Sequence, residues 1–421
     1  MPLQQPRLTP YAVFTALTAT LCFRGWPRLE QPSLWAEDGL IFLYDAVSMG
    51  WASLVEPYAG YVHLLPRLLA LVFSHWLPLS IYPHAVYLSS VVLFAAILTF
   101  WSEQALVDVI PSAATRRVAV WVCCFCPGLE ELLGNLANLH SLAFLFLCGL
   151  LLARFRRRFG PIDFVLVTLA ATTSGEGVVL SPIIAAVVFE GLKARRRDHL
   201  VVAGLFVAAM AWHSWALVHA ARTDNGMIAF DRVLDVELKT LAHHFVTAPW
   251  LGSRAASFYG LIPGWASLVV FPVFAVITLV WAWRRHAMLF ALLSFSWSGV
   301  LLIGVLFRPD NDLRFLGLWF NNPPVWRQDF VGAAAAAVLW VALLQRSRIA
   351  VAAFAVASMV AIEPYLRFTR FEAGSSWAQF ARQLESNLAS AQPFTIDIPI
   401  DPSGFVLHIE RPRPPKPPHL R

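Results

Sequence analysis

Residues 61–80 read YVHLLPRLLALVFSHWLPLS, and the fold turns on whether they cross a membrane or lie along its surface. They are apolar enough to cross. Their polar residues are gathered, however: His63, Arg67 and Ser74 fall on one helical face, with Leu64, Leu68, Leu71 and Val72 elsewhere. That pattern predicts a helix lying in the membrane interface.

The basic clusters point the same way. They are Arg116-Arg117, Arg154 with Arg156 to Arg158, Lys193 with Arg195 to Arg197, Arg284-Arg285, and Arg346 with Arg348. With 61–80 in the interface, all of them fall on the cytoplasmic side, where positive loops belong. With 61–80 as a span, most of them land outside. The expected spans are 10–26, 83–103, 117–130, 137–153, 161–173, 177–192, 199–219, 262–283, 286–307, 329–345 and 349–365, each near the length a bilayer requires. The predicted fold is an all-α polytopic membrane protein of about eleven transmembrane helices, with the N-terminus cytoplasmic and the C-terminal tail outside.

Composition agrees. The chain has 421 residues, 58% hydrophobic and only 14% charged, whereas soluble domains carry roughly 25% charged residues. Mean hydropathy is +0.62. A net charge of +6 sits in the inter-span clusters, so nucleic acid is not the implied partner. Cys22, Cys123, Cys124, Cys126 and Cys148 lie in apolar stretches, as small buried hydrophobes would. The first apolar run, Tyr11 to Gly25, is followed by Trp-Pro-Arg, which is not a cleavage site. Neither a GxxxxGK[ST] loop nor a GxGxxG fingerprint is present.

Polar chemistry gathers on the outer side, in 27–82, 131–136, 174–176, 220–261 and 308–328. Residues 1–365 make the membrane domain and 366–421 a small extracytoplasmic tail. In the tail, Ser376 to Leu388 reads as a short amphipathic helix. Thr395 to Ile400 and Phe405 to Glu410 alternate about an Asp401-Pro-Ser-Gly404 turn, which predicts a hairpin. Residues 411–421 are Pro-rich.

Several constellations could carry chemistry. Glu37-Asp38 follows the first span, and three readings compete: one acid as a general base, the pair as holder of a divalent cation such as Mg or Mn, or Asp38 as the cap of a helix starting at Gly39. Tyr58, Tyr61, His63 and Arg67 come next. The Arg fork suits a lipid phosphate and the Tyr rings suit a sugar, against the alternative of an aromatic belt with a snorkelling Arg. Asn135, Asn138 and His140 enter a span, where a helix–helix hydrogen bond competes with substrate contact. Glu176 stands between Gly175 and Gly177 in a tight outer turn. His243-His244 lacks zinc spacing, and Asp310-Asn-Asp312 is a weak cation candidate. Arg327 immediately precedes a span, a good position for gripping phosphate.

Together these features resemble the GT-C superfamily of membrane glycosyltransferases: an acidic pair in the first outer loop (Glu37-Asp38), then an interfacial helix (61–80). Trp35-Ala-Glu-Asp-Gly39, Pro57-Tyr-Ala-Gly-Tyr61 and Pro66-Arg67 are similar to a poorly characterised bacterial group, in which Asn138-Leu-His140 and Arg327 would also correspond. Gln328 stands where that group usually has Tyr. The resemblance implies an enzyme of the bacterial inner membrane that takes a polyprenyl-phosphate sugar as donor and a glycan or lipid-linked acceptor. Asp38 or Glu37 would be the base and Arg67 or Arg327 the phosphate partner. A transporter or flippase for a lipid-linked glycan, or a non-catalytic assembly partner, would share much of this architecture.

Overall fold

The computed structural model describes residues 9–126, 128–219, 327–361, 377–390, 392–401 and 404–411, together with isolated positions between 250 and 284. The expected spans 262–283 and 286–307 and the loops 220–261 and 308–326 lie, but for those positions, outside the described residues. So does the Asp310-Asn-Asp312 triplet.

Helices dominate. α1 (Thr9–Arg24) leads into α2 (Trp26–Glu30), and a π-helical turn, Asp38–Leu43, runs into α3 (Tyr44–Met49). α4 spans Leu64–Trp76, α5 Tyr82–Phe100, α6 Ala113–Cys123 and α7 Leu129–Leu132. Then follow α8 (Leu139–Arg154), α9 (Pro161–Thr173), α10 (Ser181–Lys193), α11 (Arg197–His219), α12 (Arg327–Leu344) and α13 (Arg348–Ala361). Three described stretches are long and apolar enough to cross a membrane: Leu79–Ala105, Gly175–Ala194 and Arg197–Val218. Further apolar helices, α4, α8, α9, α13 and the Val331–Leu344 part of α12, are shorter.

Starts and stops are set locally. The Ser112 side chain accepts from the Thr115 amide to begin α6. Pro161 opens α9, where Asp163 accepts from the Gly160 amide at 2.8 Å. The expected span 117–130 is broken: α6 stops at Cys123, and Gly128, at φ +84°, turns the chain into α7. Packing then joins distant segments. Trp101 donates to the Leu145 carbonyl at 3.1 Å, with Gly149 leaving room for its ring. The alanines 333–337 of α12 are buried, and α12 packs on α6, the close approach that small residues permit between helices.

The segment 61–80 yields only the 13-residue α4, roughly 20 Å long, short of a hydrocarbon core of about 30 Å. Its polar face points inward: Arg67 is 1% exposed and packs with Ala70 and Leu71. This corrects the expectation of a guanidinium displayed at the membrane surface. Trp51 (65% exposed) and Trp76 (71%) instead mark the outer edge of this loop.

The tail forms as read. α14 (Trp377–Ala389) buries Trp377, Ala381 and Leu384 along one stripe. β1 (Phe394–Ile400) pairs antiparallel with β2 (Phe405–Arg411), Ile400 opposite Phe405. Ile396, Ile398, Ile400, Leu407 and Ile409 face inward, and Gly404 at φ +98° closes the turn. The whole unit docks on the first long loop. Asp401 donates its amide to the Leu34 carbonyl at 2.9 Å. Trp377 donates to the Leu79 carbonyl at 2.8 Å, and Glu385 accepts from the Leu79 amide.

Candidate functional site

Two residues at positive φ build the entrance to the site. Tyr58 and Tyr61 exchange backbone hydrogen bonds of 3.0 and 3.1 Å across Ala59 (φ +53°) and Gly60 (φ +86°). This is the type I′ hairpin geometry, and Ala59 sits in it at a cost in strain. The chain beyond is pinned on two sides. The Val62 amide donates to Nδ1 of His213 at 3.1 Å, and the Leu65 amide donates to Thr173 Oγ1 at 3.1 Å. His213 donates from Nε2 to the Ala171 carbonyl at 2.7 Å. With Nδ1 accepting and Nε2 donating, its ring is the neutral tautomer and serves as a brace.

Inside the turn lies a cluster of rings. Tyr61 and His63 pack with ring centroids 4.1 Å apart and planes tilted by 34°; Tyr58 is 5.6 Å, Phe42 5.5 Å and His140 6.0 Å from His63. His63 is buried, and neither ring nitrogen completes a hydrogen bond. Burial, then the neighbouring His140 and Arg67, hold its pKa well below the usual imidazole value, against a small opposing pull from the Tyr58 carbonyl. The ring is therefore uncharged at neutral pH.

Arg67 lies beside it. Nη1 donates to Asp45 Oδ2 at 2.9 Å, and the guanidinium sits 5.6 Å from the Phe42 ring centre. Nε and Nη2 are buried without a partner. A guanidinium carries five N–H donors in a fixed fork, so Asp45 leaves most of them unused.

On the other side, His140 Nδ1 is 2.7 Å from the Ala137 carbonyl and Nε2 is 3.2 Å from Glu176 Oε1. A carbonyl only accepts, so Nδ1 carries hydrogen. Nε2 is thereby left facing the Glu176 carboxyl. Glu176 Oε2 and Ser174 Oγ are buried without partners. Gly175 lets this turn come close, since a Cβ there would meet Tyr61 at 3.1 Å.

Asp38 is 0% exposed. Its Oδ1 accepts from the amides of Leu136 (2.8 Å) and Ala137 (3.2 Å), while Oδ2 has no partner. It thus caps a distant turn rather than the helix beginning beside it, which corrects the local capping alternative. Burial drives its pKa well above the carboxylate range; the charge of Glu37 adds to this, and the two amides oppose it. Ala137 links Asp38 to His140: its amide binds Asp38 and its carbonyl binds His140.

No protein-family model, curated protein or solved structure matches the chain.

The structure brings together Tyr58, Tyr61, His63, Arg67, His140 and Glu176, and ties Asp38 to them through Ala137. Glu37 lies next to Asp38 and is half-buried. Asn138 is engaged in its own turn, donating to the Glu131 carbonyl at 2.8 Å while its amide donates to Asn135 Oδ1 at 2.8 Å. Arg327 is the first residue of α12; its side chain lies outside the described ones. Sequence reading missed Asp45, Phe42 and His213. A histidine inside the apolar run 199–219 was the available signal for the last. Among the described residues, no group of three or more His, Cys, Asp or Glu is disposed to hold a metal ion.

Proposed function

We propose that this chain is a multi-pass membrane glycosyltransferase of the GT-C type, with about eleven spans. In this reading it moves a sugar from a polyprenyl-phosphate donor to a cell-envelope acceptor on the extracytoplasmic face. The observation that carries the proposal is one enclosed cluster holding both chemical needs of that reaction: a guanidinium with unused donors and a carboxyl–imidazole pair, bridged by aromatic rings.

The step follows from these groups. The bond from the sugar anomeric carbon to the phosphate oxygen breaks, and the leaving phosphate gains charge that Arg67 Nε and Nη2 are free to meet. The acceptor oxygen bonds to the anomeric carbon, and its proton passes to the Glu176–His140 pair. Half-buried Tyr61 offers a ring for the sugar, with uncharged His63 packed behind it. Asp38 was the sequence favourite for the base. Its full enclosure and two amide bonds suit it better to fixing the loop, whereas Glu176 and His140 keep 19% and 10% of their side chains exposed.

The test uses the full chain in proteoliposomes with a labelled polyprenyl-phosphate sugar and envelope glycan. Wild type should release free polyprenyl phosphate and label the glycan. Arg67→Gln should raise the donor KM by about tenfold to a hundredfold, the worth of one charge-assisted hydrogen-bonding group. Intact donor appearing on the opposite leaflet without cleavage would establish the flippase reading instead. No release and no movement would leave the assembly-partner reading standing.

A further inference from the structure

The docked tail does more than cover the loop. Ile400 and Leu407, from the inward face of the hairpin, press on Gly39, where an added Cβ would lie 3.0 Å from Ile400 Cδ1 and 3.7 Å from Leu407 Cδ2. Gly39 follows Asp38 directly. On one side of this turn, the Asp401 amide holds the Leu34 carbonyl; further along, Trp377 and Glu385 hold the backbone carbonyl and amide of Leu79. The tail therefore grips the first long loop at its beginning, at the acidic turn and at its end.

We propose that residues 377–411 are a positioning clamp for the site: they seat the Glu37-Asp38 turn against 136–137 and thereby set the orientation of His140. The route is continuous in the structure. Hairpin side chains contact Gly39; Asp38 binds the Leu136 and Ala137 amides; the Ala137 carbonyl binds His140; His140 meets Glu176. A packed core element moved by a few tenths of an ångström shifts what it holds, because such interiors do not deform freely. Misplacing a catalytic group on that scale reduces turnover more than binding.

Two readouts test the clamp, one without any activity. In hydrogen exchange on the full chain, Trp377→Ala or Glu385→Ala should raise exchange in 34–43 and 133–138 as well as in 394–411. Exchange confined to the tail overturns the proposal. The second test approaches from the loop. Gly39→Ala should mimic the tail variants, and adding Ile400→Val, which deletes the Cδ1 atom in the way, should restore wild-type exchange. Failure of that rescue, with the double variant folded, also overturns it. The activity arm rests on the glycosyl-transfer reading: Trp377→Ala should lower kcat about tenfold with KM within about twofold, and an equal rise in KM would contradict positioning. If wild type transfers no sugar while the exchange pattern holds, the function fails and the clamp stands.

Discussion

Glu176 meets His140 directly and Asp38 reaches it through Ala137, and the two acids differ in what their surroundings ask of them. Asp38 accepts from two amides in a place where burial favours its neutral form. Its raised pKa means that its contribution to stability is full below the ordinary carboxylate value, about 4, and is lost as pH rises toward the raised one. Asn offers the same acceptor without the ionisation. Asp38→Asn should therefore fold, and its melting temperature relative to wild type should climb as pH rises above about 4. Asp38→Ala leaves two amides without an acceptor and should cost about 1–3 kcal/mol. Thermal unfolding in detergent from about pH 4 upward measures both; a pH-independent gap between Asn and wild type contradicts this account of Asp38. Neutral His63 works in the opposite direction: its depressed pKa makes its contribution present at neutral pH and lost on acidification.

The element that organises the site is the Tyr58–Tyr61 turn. Ala59 occupies the left-handed region, which costs an L-residue roughly 1–2 kcal/mol, so Ala59→Gly should raise the melting temperature. Gly60→Ala should lower stability by about 1–3 kcal/mol, because its φ of +86° is unsuited to a side chain and a Cβ would lie 2.9 Å from Leu217 Cδ1. Differential scanning in matched detergent decides both; a stabilised Gly60→Ala contradicts the turn assignment. At this scale the sequence was legible where pattern is local. The hairpin at 394–411 followed from alternation, and the helix at 64–76 followed from its polar stripe. The direction of that stripe was not legible, because a polar face turned toward lipid headgroups and one turned toward Asp45 have the same periodicity. The Asp38 bond to 136–137 was equally hidden, since it joins segments about a hundred residues apart. Glu176 and His140 were each visible as polar residues in apolar surroundings, but nothing local announces that they meet. The break after Cys123 was signalled by Pro127-Gly128, although the span drawn over it ran too long.

Across the whole molecule, the docking of α14 and the hairpin on the loop 25–81 puts the C-terminal unit and that loop on one side of the helical array. In the proposed topology the chain between them crosses the bilayer an even number of times. Among the described residues, Leu79–Ala105, Gly175–Ala194 and Arg197–Val218 are long and apolar enough for such crossings. The proposed topology of about eleven spans would put Arg156, Arg195 and Arg346 on the opposite side. Single cysteines at 51, 397 and 156, in a chain stripped of its own five, test this with an impermeant maleimide on intact cells. Positions 51 and 397 should label together and 156 only after permeabilisation; labelling of 51 without 397 contradicts the shared side. The central claim is chemical, and Glu176→Gln in the proteoliposome assay probes it most directly. The substitution keeps the size of the side chain and removes its capacity to take a proton. Turnover should fall by about a hundredfold to ten-thousandfold with the donor still bound at close to wild-type affinity. Full turnover in Glu176→Gln would contradict the claim that this pair accepts the proton of the attacking hydroxyl.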